Sequence, residues 1–265
     1  MIRKKLFLFC SSILCYAAFL GWFPSAAQAN EILTADEIAR QVFDRDRGHS
    51  SHSKAVMVLI NKNGYKRNRI FTTTRKLTDG LEKQMIRFLS PEDIAGTGFL
   101  TIEKPGYETD QFIYLSALRR TRRIVASQKH HRFVQTDFTY EDMQRHPVEN
   151  YLYTLEGQKK IGDIDCYILK TAPKPGIASQ YSFTRSFISK VGFVPILAEY
   201  YDQKGKHVKI YAVLELKKIQ DIMTESIIKM EDLERSHQTY IKLQHIEYNI
   251  DISEDQISKA ALENY

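Results

Sequence analysis

The chain has 265 residues, 43% of them hydrophobic and 26% charged, with only 12 Gly and 7 Pro. These proportions exclude a disordered, collagen-like or linker-dominated chain and suit one large domain or two small ones. The formal net charge of +6 is mild, and three of the positive charges fall within the first five residues, so charge gives no argument for nucleic-acid binding.

Arg3, Lys4 and Lys5 precede an apolar run from Leu6 to Phe23, and Pro24 breaks that run before Ala27-Gln-Ala29. A positive start, an apolar stretch and a small-x-small site predict a cleaved signal peptide over residues 1–29 and a mature domain over 30–265. The alternative is an uncleaved anchor, because the run approaches the length of a short spanning helix. Cys10 and Cys15 follow Phe9 and Leu14, residues too large for lipid-modification processing. No later apolar run is long enough to span a bilayer, so the mature chain is predicted to be soluble. Cleavage leaves Cys166 as the only cysteine, so no internal disulfide is possible. Its setting, Asp163 to Leu169, reads as a strand in which a small buried residue is expected.

The mature chain opens on a helix. Thr34 or Asp36 can cap it, Ile38, Ala39, Val42 and Phe43 form an apolar stripe, and Gly48 follows as a stop. Lys54–Lys62 and Tyr65–Arg75 then flank Asn63-Gly64, a strong hairpin signal. Further strands are predicted at Leu81–Leu89, Phe99–Glu103 and Gln111–Leu115. An Arg-rich segment follows at Arg119–Val125. The stretch Ser127–Pro147 is irregular, with a short helical turn expected at Phe138–Met143. The second half reads as strands at Tyr151–Glu156, Asp165–Thr171, Gln180–Ser189, Pro195–Tyr201, Lys206–Lys217, Ile222–Lys229 and Thr239–Ile250, punctuated by turn residues. Ser253 is predicted to cap a last helix, Glu254–Leu262.

Roughly a dozen strands in sequence, without βαβ alternation, exclude a dinucleotide-binding domain of doubly wound type. Short connections imply an antiparallel sheet, and a sheet of this size must curl. The predicted architecture is a β-rich α+β fold: one strongly curved antiparallel sheet, an unclosed barrel, with helices covering its concave side. Three alternating sets of apolar side chains are candidates for core or cavity lining. They are Tyr181/Phe183/Phe187, Ile210/Ala212/Leu214/Leu216 and Tyr151/Tyr153/Leu155.

No nucleophile elbow, phosphate loop, zincin helix or dinucleotide fingerprint is present. Asp44, Asp46, His49 and His52 are metal-ligand types without the spacing of a closed site. His130 and His131, if on a strand, would point to opposite faces. Asp137, Glu141 and His131 are the residues a hydrolase would have to bring together. No metal, no cofactor and no catalytic residue is therefore expected. The unusual feature is Arg119-Arg120-Thr121-Arg122-Arg123. Four guanidinium groups in five positions repel one another unless anions compensate, and Asp137, Glu141 and Asp142 are candidates to neutralise one set.

Taken together, Phe88-Leu-Ser-Pro-Glu-Asp-Ile-Ala-Gly-Thr-Gly-Phe-Leu100, Glu103-Lys-Pro-Gly106, Asp110–Leu115, Ala117–Ile124 and Asp137–Asp142 resemble the LolA-like outer membrane lipoprotein-sorting family. Ala35–Ala39 and Asp44–Gly48 fit as well. The resemblance implies an unclosed barrel with helices on the concave side. It also implies a non-enzymatic periplasmic carrier for the acyl chains of a lipid or lipoprotein, in some members associated with a resistance-nodulation-division (RND) type exporter. Within the motif block, Phe99, Tyr114, Phe138 and Tyr140 are the candidate lipid contacts. Arg119, Arg120, Arg122 and Arg123 are the candidate headgroup or partner contacts. The alternative function is an adaptor that docks on an envelope transport complex, such as an exporter or an outer-membrane receptor, without carrying cargo.

Overall fold

The computed structural model describes residues 33–106 and 109–264; the predicted signal peptide lies outside them. Helix α1 (Ala35–Asp44) starts where expected, in a capping box. The Thr34 amide donates to the Glu37 carboxylate at 2.7 Å, and the Glu37 amide donates back to Thr34 Oγ1 at 3.2 Å. This pairing satisfies donors that a helix start otherwise leaves open.

Thirteen strands follow. They are β1 (Ser50–Ile60), β2 (Lys66–Thr78), β3 (Leu81–Ser90), β4 (Gly98–Glu103), β5 (Thr109–Leu115), β6 (Arg120–Arg123), β7 (Tyr151–Ile161), β8 (Ile164–Pro173), β9 (Tyr181–Ser189), β10 (Pro195–Asp202), β11 (His207–Ile219), β12 (Ile222–Asp232) and β13 (His237–Tyr248). They form one sheet in the order β6-β5-β4-β3-β2-β1-β13-β12-β11-β10-β9-β8-β7, with every pairing antiparallel. The expected fold is present: a single curved antiparallel sheet that does not close.

The strand order has a consequence for the interior. β1 and β13, far apart in sequence, pair at the middle of the sheet, whereas β6 and β7, consecutive in sequence, lie at its two edges. Residues 124–150 must therefore cross from one edge to the other. They do so over the inner face. Ile124, Phe133, Phe138 and Tyr140 pack into one cluster with Ala55, Met57, Phe71, Phe88 and Phe99 of β1–β4 and Met230 of β12. Phe133, only 1% exposed, is the anchor; burial of such a ring contributes about 1.5–3 kcal/mol. The expected helical turn at Phe138–Met143 is a run of turns instead. There the Thr139 amide and hydroxyl both donate to Asp142, at 2.7 and 2.8 Å, and compete with helical hydrogen bonding.

Side-chain alternation separates two faces. Ile86, Phe99 and Ile113 point inward, while Met85, Leu100 and Phe112 point outward to Ile252, Ile257 and Leu262. The C-terminal segment thus covers the outer face of β3–β5, and α1 lies over the inner face of β7–β9 against Leu169 and Ile188. The last helix is shorter than expected. A 3-10 turn at Glu254–Ile257 stops at Ser258, whose extended backbone and hydroxyl cap a separate α2 (Lys259–Glu263). Cys166 is buried in β8, as its context predicts.

Candidate functional site

α1 buries Ile38 and Ala39 and, one turn on, brings Val42 and Phe43 to the inner face. Between α1, the crossing segment and β7–β12 lies a cavity of about 490 Å³. Its wall includes Tyr153, Tyr181, Ala198, Tyr200, Tyr211 and Met230. A second cavity of about 330 Å³ lies on the β1–β3 side, against Ala55, Met57, Phe71, Ile86, Phe133 and Leu243. Arg45, Arg47, Phe138, Glu225 and Ile228 border both. Both volumes fall in the range of about 300–1,000 Å³ typical of ligand sites, and their linings are mainly apolar.

The sets of apolar residues recognised in the sequence divide between the faces. Tyr151 and Tyr153 of β7 line the larger cavity. In β9 a register shift leaves Ser182 as an extra residue opposite β10. Tyr181 therefore turns inward, whereas Phe183 stacks on Tyr201 at 4.3 Å and Phe187 packs with Cys166, Val194 and Ile196. These three aromatics do not share a face, contrary to simple alternation. In β11 the cavity is lined by Tyr211, and its neighbours Ile210 and Ala212 lie on the other side of the strand. Tyr200, Tyr211, Ile228 and Met230 belong to the site without any local signal in the sequence.

Polar residues hold the crossing segment over these cavities. Lys209 Nζ lies 2.9 Å from Asp142 Oδ2 and donates to the Tyr181 hydroxyl at 2.9 Å, and that hydroxyl donates to Asp142 Oδ1 at 2.9 Å. Burial, reinforced by the Asp142 charge, pushes the Tyr181 phenol far above its usual value. Burial likewise raises Tyr200 and Tyr211. Glu141 accepts from the Gln180 amide at 3.0 Å and from the Ser179 hydroxyl. Asp137, fully buried, accepts from Thr239 Oγ1 at 2.6 Å and lies 2.7 Å from His237 Nδ1, with Arg235 at 3.3 Å.

The acidic residues of the crossing segment are therefore committed elsewhere and do not neutralise the Arg run. Arg123 instead pairs with Asp110 through Nε at 3.0 Å. Arg119 sits at φ +45° at the end of a 3-10 turn, and it, Arg120 and Arg122 are exposed along the edge strand β6. Among the predicted aromatic contacts, Phe138 borders both cavities. Phe99 packs in the same cluster, its ring tilted against those of Phe133 and Tyr140 with centres 4.9 and 5.6 Å away. Tyr140 belongs to the same aromatic cluster, and Tyr114 lies on the outer face beneath the C-terminal segment. His130 and His131 are not on a strand; they fall in a turn with their rings 4.4 Å apart, edge to face. Among the described residues no three His, Cys, Asp or Glu side chains converge as a metal site. Asp137, Glu141 and His131 sit in three separate settings rather than in one cleft. No described helix is long and apolar enough to cross a membrane.

A family model described as "Uncharacterized protein" matches residues 80–264. No curated protein matches the chain. Among solved structures, a DUF1329 family protein from Desulfovibrio piger is 31% identical with a TM-score of 0.82, over 86% of this chain and 97% of that one. A candidate outer membrane lipoprotein-sorting protein domain from Vibrio parahaemolyticus is 25% identical with a TM-score of 0.81, over 86% and 98%. A LolA superfamily protein from Nitrosomonas europaea, 17% identical, shares the fold at a TM-score of 0.68, over 87% of this chain and 100% of that one.

Proposed function

The chain belongs to the DUF1329 family, and from that premise we propose that it is a periplasmic carrier of the acyl chains of a lipid or lipoprotein. One observation carries this reading: two adjoining, mainly apolar cavities lie between the inner face of the sheet and the segments that cross it. Each methylene moved from water into such a space contributes about 0.8 kcal/mol, so a single long chain can be held without any covalent chemistry. Similarity to a lipoprotein-sorting domain supports the same cargo class. In this reading residues 1–29 direct export and are removed. Phe138 contacts cargo, with Phe99 and Tyr140 packed in the same aromatic cluster and Tyr114 bracing the same strands from outside. Arg119, Arg120, Arg122 and Arg123 meet the lipid surface or protein partner at hand-over, where an RND-type exporter or an outer-membrane receptor would act.

The test is native mass spectrometry of the mature protein after gentle purification, together with displacement of a fluorescent fatty acid. Co-purified lipid or saturable uptake is expected. A protein that arrives empty and takes up no fatty acid overturns the carrier reading. The adaptor alternative, which has the exposed Arg run in its favour, then remains to be tested by charge reversal there.

A further inference from the structure

Arg45 and Arg47 border both cavities, and Arg75 borders the smaller one beside them. Arg45 lies 3.0 Å from Glu225. Arg47 and Arg75 share a single oxygen of Glu82, which Arg75 approaches at 3.4 Å. Arg75 is buried and also donates to the Gly48 carbonyl at 2.7 Å, which fixes the strap between α1 and β1 across the junction. Three cations thus face two carboxylates. The neighbouring Glu103 does not change this balance, because it has its own cation in Arg145 at 3.1 Å. Asp46 turns to the exposed side, where it accepts the Gly48 amide at 2.8 Å. The smaller cavity is bordered by these three arginines and by one carboxylate, Glu225. At the other end of the larger cavity stand Glu141, held by neutral donors, and Asp142, already paired with Lys209. The uncompensated positive charge of the interior therefore lies at the junction, whereas the far end of the larger cavity carries Glu141 and Asp142 with His146 beside them.

Resting on the carrier reading, we infer that the cargo is an anionic two-chain lipid, whose phosphate or carboxylate sits at Arg45, Arg47 and Arg75 while one chain enters each cavity. An uncompensated guanidinium in a partly dry site favours an anion more strongly than it would in water, and the planar fork of Arg suits phosphate oxygens. A neutral lipid of the same chains would leave that charge unmatched. A headgroup at the other end would meet Glu141. The Arg run on β6 is remote from this role, being exposed on the edge strand.

The experiment loads the mature protein with equal amounts of phosphatidylglycerol and diacylglycerol carrying identical chains and reads occupancy by native mass spectrometry. Phosphatidylglycerol is expected to win by about tenfold or more, the scale of one charge-assisted hydrogen bond. The double variant Arg45→Gln/Arg47→Gln is expected to lose this preference while still taking diacylglycerol. Lys217→Gln/Lys218→Gln, which removes two positive charges from the exposed end of β11, is expected to keep it. Equal uptake of both lipids by the unmodified protein overturns the anion site and leaves the carrier standing. Uptake of neither overturns the carrier itself. Inorganic phosphate is run alone: protection by phosphate without lipid uptake would make the junction a site for free anions and overturn the lipid assignment. The wild-type comparison decides the matter even where the arginine variant does not fold.

Discussion

The Arg145 guanidinium lies 3.9 Å from the centre of the Phe43 ring and donates to the Phe43 carbonyl at 3.2 Å. This one side chain ties the crossing segment to the end of α1, by a cation–π contact and by satisfying a carbonyl that the helix leaves open. It also faces Glu103, whose carboxyl is raised above its usual value by burial, against the opposing effects of the Glu82 amide and Arg145. A folded-state value above the unfolded one means that Glu103 contributes stability at low pH and loses it as pH rises through the folded value. Arg145→Ala removes one of the groups that hold that value down. The expected deficit in Tm is therefore larger at pH 7 than below about pH 4, where the carboxyl is protonated in both states. Equal deficits across that range would dismiss the coupling.

Lys209 and Asp142 form a buried ion pair that links β11 to the crossing segment at 2.9 Å. Lys209→Met leaves the carboxylate buried without its cation, and a loss of about 3–5 kcal/mol is expected in denaturant unfolding. Adding Asp142→Asn is expected to recover much of it. If the single and double variants are equally unstable, the pair is not what holds this segment.

Gly98 opens β4 under close packing. A Cβ there would come within 2.6 Å of both Arg87 Nη1 and Leu262 Cδ1. Gly98→Ala forces the packed Arg87 and Leu262 side chains to shift, which loosens the C-terminal segment, and is expected to cost about 1–3 kcal/mol. Hydrogen exchange should show the change concentrated in residues 252–262. A variant as stable as the parent would mean that the segment is loosely held.

Much of this fold was legible in the sequence because its cues are local. Asn63-Gly64, the Thr34 cap and the alternating strands each state their structure within a few residues. The pairing of β1 with β13, and hence the crossing of the interior by residues 124–150, is not local, and nothing in Ser127–Pro147 announces it. The site was less legible than the fold. A single extra residue, Ser182, puts Tyr181 on the face opposite Phe183, and periodicity counted along the strand cannot detect it. Gly96 and Gly98, two residues apart, look alike in the sequence. Gly96 does adopt φ +80° in the turn, but Gly98 is required by what packs over it. The Arg run was conspicuous in sequence, whereas the arginines that border the cavities, Arg45, Arg47 and Arg75, are dispersed and become a group only through folding.

Arg120 and Arg122 are exposed on β6, so reversing their charge disturbs no buried contact. Arg120→Glu/Arg122→Glu is expected to shift stability by no more than about 0.5 kcal/mol. Binding to vesicles of anionic phospholipid, measured by co-sedimentation, is expected to fall, and more so at low salt, because the attraction of exposed charges is screened as salt rises. Unchanged binding would remove the run from the hand-over surface.

Ile228 borders both cavities from β12, opposite the crossing segment. Replacing it with Trp projects an indole into space that cargo would occupy. In a filled core such a change forces neighbours off their rotamers and costs about 1–3 kcal/mol. Here the adjoining volumes of about 490 and 330 Å³ give the ring somewhere to go. Stability and cargo uptake are therefore expected to part company: Ile228→Trp should keep its Tm within a few degrees of the parent, yet lose most of its fluorescent fatty-acid uptake. The reverse result, a sharply lowered Tm with uptake intact among the molecules still folded, would mean that the interior is closed to ligands and that the cavities belong to the protein's own packing.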